Sequence, residues 1–149
     1  MSADGEFLAA FAATVKAAGI PNRSHTPESL LSLYARLVAE CVDSFQGTIE
    51  EYYSLLGVRS VIQHVLCSGE MNGFAEIAGF AASVSRLDVA FQSCLDLDQR
   101  ANIERTALTN GDAWYWQYFP AYAGEELVRD LAVEYGYRST VKRREVEGQ

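Results

Sequence analysis

Between Gly73 and Leu97, apolar side chains recur at the three- and four-residue spacing of a helix face. The stripe consists of Ile77, Phe80, Val84, Leu87, Phe91 and Cys94. A second apolar set widens this surface beyond one face: Phe74, Ala75, Ala78, Ala81, Ala82, Val89 and Ala90. A helix that is apolar around much of its circumference is usually covered on more than one side. The pattern therefore predicts that residues 73–97 form the central helix of a bundle.

The same periodicity, bounded by helix start and stop residues, predicts further helices on both sides of this segment. They cover about residues 6–18, 27–45, 48–68 and 124–135, with a weaker helix from Asp96 or Asp98 to about Leu108. Thr26 precedes Pro27 as an N-cap, and Thr48 followed by Glu51 has the form of a capping box. Glycines such as Gly136 mark the helix ends.

Two of these helices carry inward faces that can be named residue by residue. The first should bury Leu8, Phe11, Val15 and Ala18. The third should bury Tyr52, Leu55, Val58, Ile62, Val65 and Leu66. Gly57 within the third helix suggests a close crossing or a kink. Ala75, Gly79 and Ser83 repeat every four residues in the central helix, a spacing that lets a neighbouring backbone approach closely.

No run of alternating apolar and polar residues is long enough to indicate a sheet. We therefore predict an all-α, single-domain bundle of five or six helices. The helical domain is expected over residues 1–137, followed by a polar and frayed C-terminal tail over residues 138–149.

Charge narrows the choice of partners. The net charge is −8, and four basic residues lie in the tail, so residues 1–137 hold 8 basic and 18 acidic side chains. Such a body repels nucleic acid and favours a basic protein partner, although solubility alone also explains much of the acidity. No uninterrupted apolar run reaches the length of a membrane span, and the acidic start lacks the basic region of a secretory signal. We expect a cytoplasmic protein that binds neither nucleic acid nor membrane.

Residues suited to catalysis or metal binding are sparse. Cys41, Cys67 and Cys94 lie on three predicted helices, and His64 precedes Cys67 by one helical turn. Together they have the chemistry of a zinc site, but widely spaced single cysteines more often fill a core. His64 beside Cys67 is also the only local pairing for a cysteine nucleophile, and helix neighbours of this kind arise by chance. We predict no catalytic residue, metal or cofactor.

Aromatic residues crowd the segment broken by Pro120. The residues that we name as candidate binding residues here are Trp114, Tyr115, Trp116, Tyr118 and Tyr122. Such side chains supply stiff contact area with a polar tip, as at interfaces, or wall a pocket for a flat ligand. The alternative, which we favour, is that this segment seals one end of the bundle.

Acidic pairs stand at several predicted helix starts, with Glu125 and Glu126 the pair next to the aromatic segment. Carboxylates at a helix start stabilise the helix through its dipole, which accounts for most of these pairs. They could also dock arginine- or lysine-rich protein. Glu125 and Glu126 therefore join the aromatic residues as candidate binding residues.

The sequence supports three hypotheses about function. The leading one is a non-enzymatic, acidic helical module of the inhibitor, immunity or adaptor type that docks a protein partner, with a basic partner favoured. The alternative is a helical bundle that binds a small molecule in an aromatic-lined pocket. The third is self-association into a symmetric homodimer through the small-residue row.

Overall fold

The computed structural model describes residues 3–18, 25–97 and 114–141. It is mostly helical and confirms the all-α fold class. The helices are α1 (Ala3–Ala17), α2 (Pro27–Val42), α3 (Ile49–Leu66), α4 (Ile77–Gln92), the short α5 (Trp114–Gln117) and α6 (Glu125–Tyr135). A 3₁₀ turn over Met71–Gly73 precedes α4, and the strands β1 (Tyr122–Ala123) and β2 (Thr140–Val141) flank α6. The weaker helix predicted towards Leu108 lies outside the described residues beyond Leu97.

Helix starts follow the predicted caps with one difference. At α2, the Thr26 hydroxyl accepts from the Ser29 amide and the Ser29 hydroxyl accepts from the Thr26 amide, which completes a capping box. At α3, the Thr48 hydroxyl accepts from the Glu51 amide at 3.1 Å. The Glu51 carboxylate does not return the bond, so only half of the predicted box forms. At the other end of the chain, Gly136 ends α6 in the left-handed conformation (φ 64°), as predicted.

The helix with most neighbours is α3, which packs against α1, α2, α6 and the 3₁₀ turn. By contrast, α4 packs principally on α2. The predicted helix over 73–97 therefore exists over Ile77–Gln92, but its central position is not confirmed. Its apolar stripe faces inward, while Val89 on the opposite side is 70% exposed. The second apolar set is mostly alanine, whose small side chains lose little by remaining in water.

Small residues in α3 and α4 do not bring helices together as predicted. Gly79 is exposed, and a Cβ built on it would meet no atom within 4 Å. The same is true of Gly57, so this glycine does not mark a close crossing. Ala75 is also exposed, so the small-residue row lies on the surface, and its role in a homodimer stays a prediction.

The inward face of α1 is rotated from the predicted one. Phe7 is buried, whereas Leu8 is 43% exposed. The reason is aromatic packing across the bundle: the Phe7 ring lies 5.6 Å from that of Phe74, and the Phe11 ring lies 5.2 Å from that of Phe80. A phenyl group buries more apolar area than leucine, so this register is favoured.

The chain beyond α6 returns to the core, which differs from the predicted frayed tail. Tyr137 is buried, and its hydroxyl accepts from the Phe119 amide at 3.2 Å. The Ser139 hydroxyl donates to the Pro120 carbonyl at 2.6 Å, and β2 pairs in parallel with β1. Residues 138–141 therefore belong to the packed domain, while residues 142–149 lie outside the described part of the chain.

None of the helices within residues 3–18, 25–97 and 114–141 combines the length and the apolar content that crossing a bilayer requires.

Two glycine substitutions should change stability in opposite directions. A Cβ at Gly124 would lie 2.7 Å from Gln46 Oε1 and 3.1 Å from the Gln46 Cα, so Gly124→Ala should destabilise the fold by about 1–3 kcal/mol through overpacking. Gly57 is an interior residue of α3, and a Cβ built on it meets no atom within 4 Å. Gly57→Ala should therefore stabilise the fold by about 0.5–1 kcal/mol. Urea denaturation measures both, and midpoints that move in the same direction would contradict this packing.

Candidate functional site

A surface cleft of about 490 Å³ lies where α2 ends and α3 begins. Its walls come from the last turns of α2, the 43–48 connection and the first turns of α3. Three carboxylates line it, those of Glu40, Asp43 and Glu51, and among the described residues that line it Arg36 is the one cation. Clefts of about 300–1,000 Å³ are the usual size of ligand sites in proteins. This cleft is the candidate functional site.

The 43–48 connection is held in one shape from both ends. Ser44 is buried and has φ 81°, a left-handed conformation that residues other than glycine seldom adopt. The next residue, Phe45, inserts its ring into the core, 5.5 Å from the ring of Tyr52 and nearly perpendicular to it. The Gln46 side-chain amide then donates back to the Ser44 carbonyl at 3.0 Å. The carboxylates around the cleft therefore stand on a fixed frame.

Helix dipoles divide these carboxylates into two kinds. Glu51 lies in the first turn of α3, at the positive end of the dipole, where a carboxylate is stabilising. Glu40 and Asp43 lie at the negative end of α2, whose last turn has no basic residue. A carboxylate there is unfavourable by a few tenths to about 1 kcal/mol. Helix stability therefore explains Glu51 but does not explain Glu40 or Asp43.

The Arg36 side chain neutralises this surface only weakly. Its Nε lies 3.8 Å from the Glu40 carboxylate, one helical turn away, and the two side chains are 65% and 42% exposed. Solvent-exposed pairs of this kind contribute about 0–1 kcal/mol. The cleft consequently keeps a negative potential.

Gly47 makes room for the Glu51 carboxylate. A Cβ on Gly47 would lie 2.4 Å from Glu51 Oε2 and 2.9 Å from the ring carbon Cε1 of Phe45. The carboxylate thus occupies the space beside the glycine instead of completing the capping box with Thr48. The negative charge of Glu51 therefore lies next to the 43–48 connection.

The start of α6 adjoins the same connection. The Gly124 amide donates to the Phe45 carbonyl at 2.7 Å, and Ala123 forms a bridge with Phe45. Glu125 and Glu126, which follow directly, are exposed in the first turn of α6. We call the surface formed by these two carboxylates and the three of the cleft the acidic face: Glu40, Asp43, Glu51, Glu125 and Glu126.

The predicted aromatic binding residues are divided between core and surface. Tyr115 is buried under the Arg59 guanidinium, whose carbon lies 4.8 Å from the ring centre. Trp114 is half-buried against the Phe91 ring, 5.8 Å between centroids, and Tyr118 is also half-buried. Among these residues Tyr122 is exposed, at 51%, while the Trp116 side chain lies outside the described structure.

This division shows which of the predicted site residues are accessible. Tyr115 cannot meet a partner without opening the core, because its ring is needed to cover a buried cation. The described cleft is lined by none of the predicted aromatic residues. Tyr122, Glu125 and Glu126 remain accessible and follow one another closely along the chain.

A buried polar cluster between the helices is the feature that sequence reasoning missed. Arg59 of α3 is 3% exposed and donates through Nε and Nη2 to the two carboxylate oxygens of Asp88 on α4, both at 2.9 Å. The Tyr34 hydroxyl of α2 donates to the same carboxylate. The Gln63 side-chain carbonyl accepts from Arg59 Nη1 at 3.0 Å. All three elements α2, α3 and α4 are therefore linked through one ion pair.

Periodicity contained a signal for this pair. Asp88 follows Val84 by four residues and precedes Phe91 by three, so it shares their buried stripe. Arg59 likewise stands three residues before Ile62, on the inward side of α3. Opposite charges on the inward faces of two helices indicate a buried partner for each, because an unpaired buried charge is very costly.

The cysteines do not come together as a site in the described residues. Cys41 is buried, Cys94 is half-buried and Cys67 is exposed. Within residues 3–18, 25–97 and 114–141, no group of three His, Cys, Asp or Glu side chains is arranged to hold a metal ion. Burial raises the pKa of the Cys41 thiol, which makes it a poor nucleophile at neutral pH.

Comparisons of the chain with protein families, with curated protein sequences and with solved structures find no match.

Removing the buried cation should damage the fold far more than removing an exposed one. Arg59→Met leaves the Asp88 carboxylate, itself 19% exposed, without its partner and should destabilise the chain by about 3 kcal/mol. The double variant Arg59→Met/Asp88→Leu should recover most of this loss. The control Arg86→Met changes an exposed arginine of α4 and should stay within about 0.5 kcal/mol. Equal losses for Arg59 and Arg86 in chemical denaturation would refute the cluster's role.

Stability should decline at alkaline pH because of the buried tyrosines. Burial raises the pKa of the Tyr34, Tyr52 and Tyr53 hydroxyls and raises the pKa of Tyr137 to about 12. The unfolded chain loses these protons near pH 10, so above that pH it binds fewer protons than the folded chain. The stability that these hydroxyls contribute should therefore be fully present below pH 10, and the free energy of unfolding should fall as pH rises towards 12. Urea denaturation between pH 8 and pH 11.5 measures it, and a flat profile would contradict the burial of these hydroxyls.

Proposed function

We propose that this chain is a non-enzymatic protein-binding module that docks a basic surface of a protein partner on its acidic face. The observation that carries the proposal is the position of Glu40 and Asp43 at the negative end of α2, lining a cleft. Carboxylates at this end of a helix are unfavourable to the dipole, and a role in recognition would offset that cost.

The surroundings of the cleft support the same proposal. Glu125 and Glu126 add two exposed carboxylates at the start of α6, which adjoins the 43–48 connection. Tyr122, which is 51% exposed and precedes Glu125 by three residues, offers stiff contact area of the kind that interfaces use. The net charge of −10 over residues 1–137 adds long-range attraction for a basic partner.

The small-molecule alternative receives less support. It requires a pocket walled by the aromatic segment, but Trp114, Tyr115 and Tyr118 pack in or against the core. The cleft between α2 and α3 has a mixed lining of charged, polar and apolar side chains on a solvent-exposed surface.

Charge reversal on the acidic face tests the proposal. The chain carrying Glu125→Lys and Glu126→Lys should bind its captured partner at least about tenfold more weakly than the wild type, because attraction becomes repulsion at two positions of the contact. Affinity capture followed by mass spectrometry identifies the partner, and titration with the purified partner measures affinity at two salt concentrations. Binding should weaken as salt rises.

The matched control reverses two exposed carboxylates outside the acidic face. Glu70→Lys/Glu134→Lys makes the same change in net charge and should leave the affinity within about twofold. Thermal unfolding of both variants separates loss of binding from loss of fold. The proposal fails if the two double variants bind equally, or if the captured partner has no basic surface.

A further inference from the structure

The cleft has the mixed chemistry that an arginine side chain requires. Beyond its three carboxylates, its lining includes the accessible apolar groups of Ala39 and Leu55. An arginine pairs an apolar stem with a planar cation that carries five N–H donors. Such a side chain can lay its stem on an apolar wall while its guanidinium bonds more than one carboxylate.

The end of α2 supplies an additional attraction for a cation. Carbonyl groups at a helix C-terminus carry the negative end of the dipole and are commonly bonded by a lysine or arginine in the last turn. No such residue is present in the last turn of α2, where Glu40 and Asp43 add further negative charge. The chain's own Arg36 lies nearer the helix middle and is tied weakly to Glu40.

Carboxylates reach this position from two directions. Glu40 and Asp43 come from α2, while Glu51 comes from α3 across the connection, where Gly47 gives its carboxylate room. The Thr48 hydroxyl meets the Glu51 amide without help from the Glu51 carboxylate, which leaves that carboxylate available. Acceptors on both sides of a cleft suit a planar, forked donor better than the compact ammonium of lysine.

We propose that the cleft between α2 and α3 accepts a single arginine side chain of the protein partner, with Glu51 as a principal acceptor of its guanidinium. This inference rests on the proposed function and specifies the partner's anchoring residue.

Short peptides test the assignment on the full chain. Titrations of the ¹⁵N-labelled protein use acetyl-Gly-Arg-Gly-amide, its lysine counterpart and its citrulline counterpart, which is neutral but has nearly the shape of arginine. The arginine peptide should shift the amide signals of Ser44, Gln46 and Gly47 to saturation. The lysine peptide should bind several-fold more weakly, and citrulline should produce no saturable shift.

Two neighbouring glutamates provide matched variants. Glu51→Gln should weaken arginine-peptide binding by about fivefold, the upper end for a partly exposed ion pair. Glu50→Gln removes the same charge from the same helical turn, but Glu50 does not line the cleft, so binding should stay within about twofold. Equal effects of the two variants, equal binding of the lysine peptide, or saturable binding of citrulline would each overturn the arginine assignment.

Failure here can be separated from failure of the proposed function. If the protein partner loses affinity for the Glu125→Lys/Glu126→Lys variant but not for Glu51→Gln, the acidic face docks the partner and the arginine anchor is refuted. If the partner is indifferent to both, the proposed function fails as well. Loss of affinity with both variants, together with the peptide results, supports the anchor.

Discussion

One buried ion pair fixes how the helices of this chain face one another. Arg59 of α3 holds Asp88 of α4 by two hydrogen bonds, and Tyr34 of α2 donates to the same carboxylate. Tyr115 of α5 lies under the guanidinium. Such a pair adds little net stability over a hydrophobic replacement, but it strongly penalises any arrangement that separates the charges. Rotating α4 or sliding it along α2 would leave both charges without a partner. The pair therefore selects one packing from several that the apolar stripes alone would allow.

The distribution of apolar residues explains why α4 packs principally on one helix. Its stripe of large apolar residues is one face wide and packs principally against α2, while Phe80 also contacts Phe11 of α1. The remainder of its surface carries alanines, Gly79 and Val89, and in the described part of the chain this side is open to solvent. α3 packs against more elements because its buried residues face α1, α2 and α6.

Features that depend on neighbouring residues could be predicted from the sequence, whereas features that depend on contacts between distant residues could not. Caps such as Thr26 and Gly136 act within one or two turns, so the sequence alone locates them well. The choice of Phe7 over Leu8 as the buried residue of α1 depends on a ring that arrives from Phe74, far along the chain. The predicted site residues divide in the same way. Glu125 and Glu126 lie in the first turn of α6, which local signals locate. The burial of Tyr115 depends on the pair of Arg59 and Asp88, two residues far apart along the chain.

The cleft escaped prediction for a related reason. Counting charge along the chain gives Glu40 and Asp43 no special weight, because each is an ordinary acidic residue until the helix end is known. Once α2 is seen to stop at Val42, both carboxylates oppose its dipole, and the left-handed Ser44 turns the chain so that Glu51 meets them from the next helix. A sequence selected for helix stability alone would place a cation at that end. The negative charge at that end is the feature on which the proposed docking of a basic partner rests.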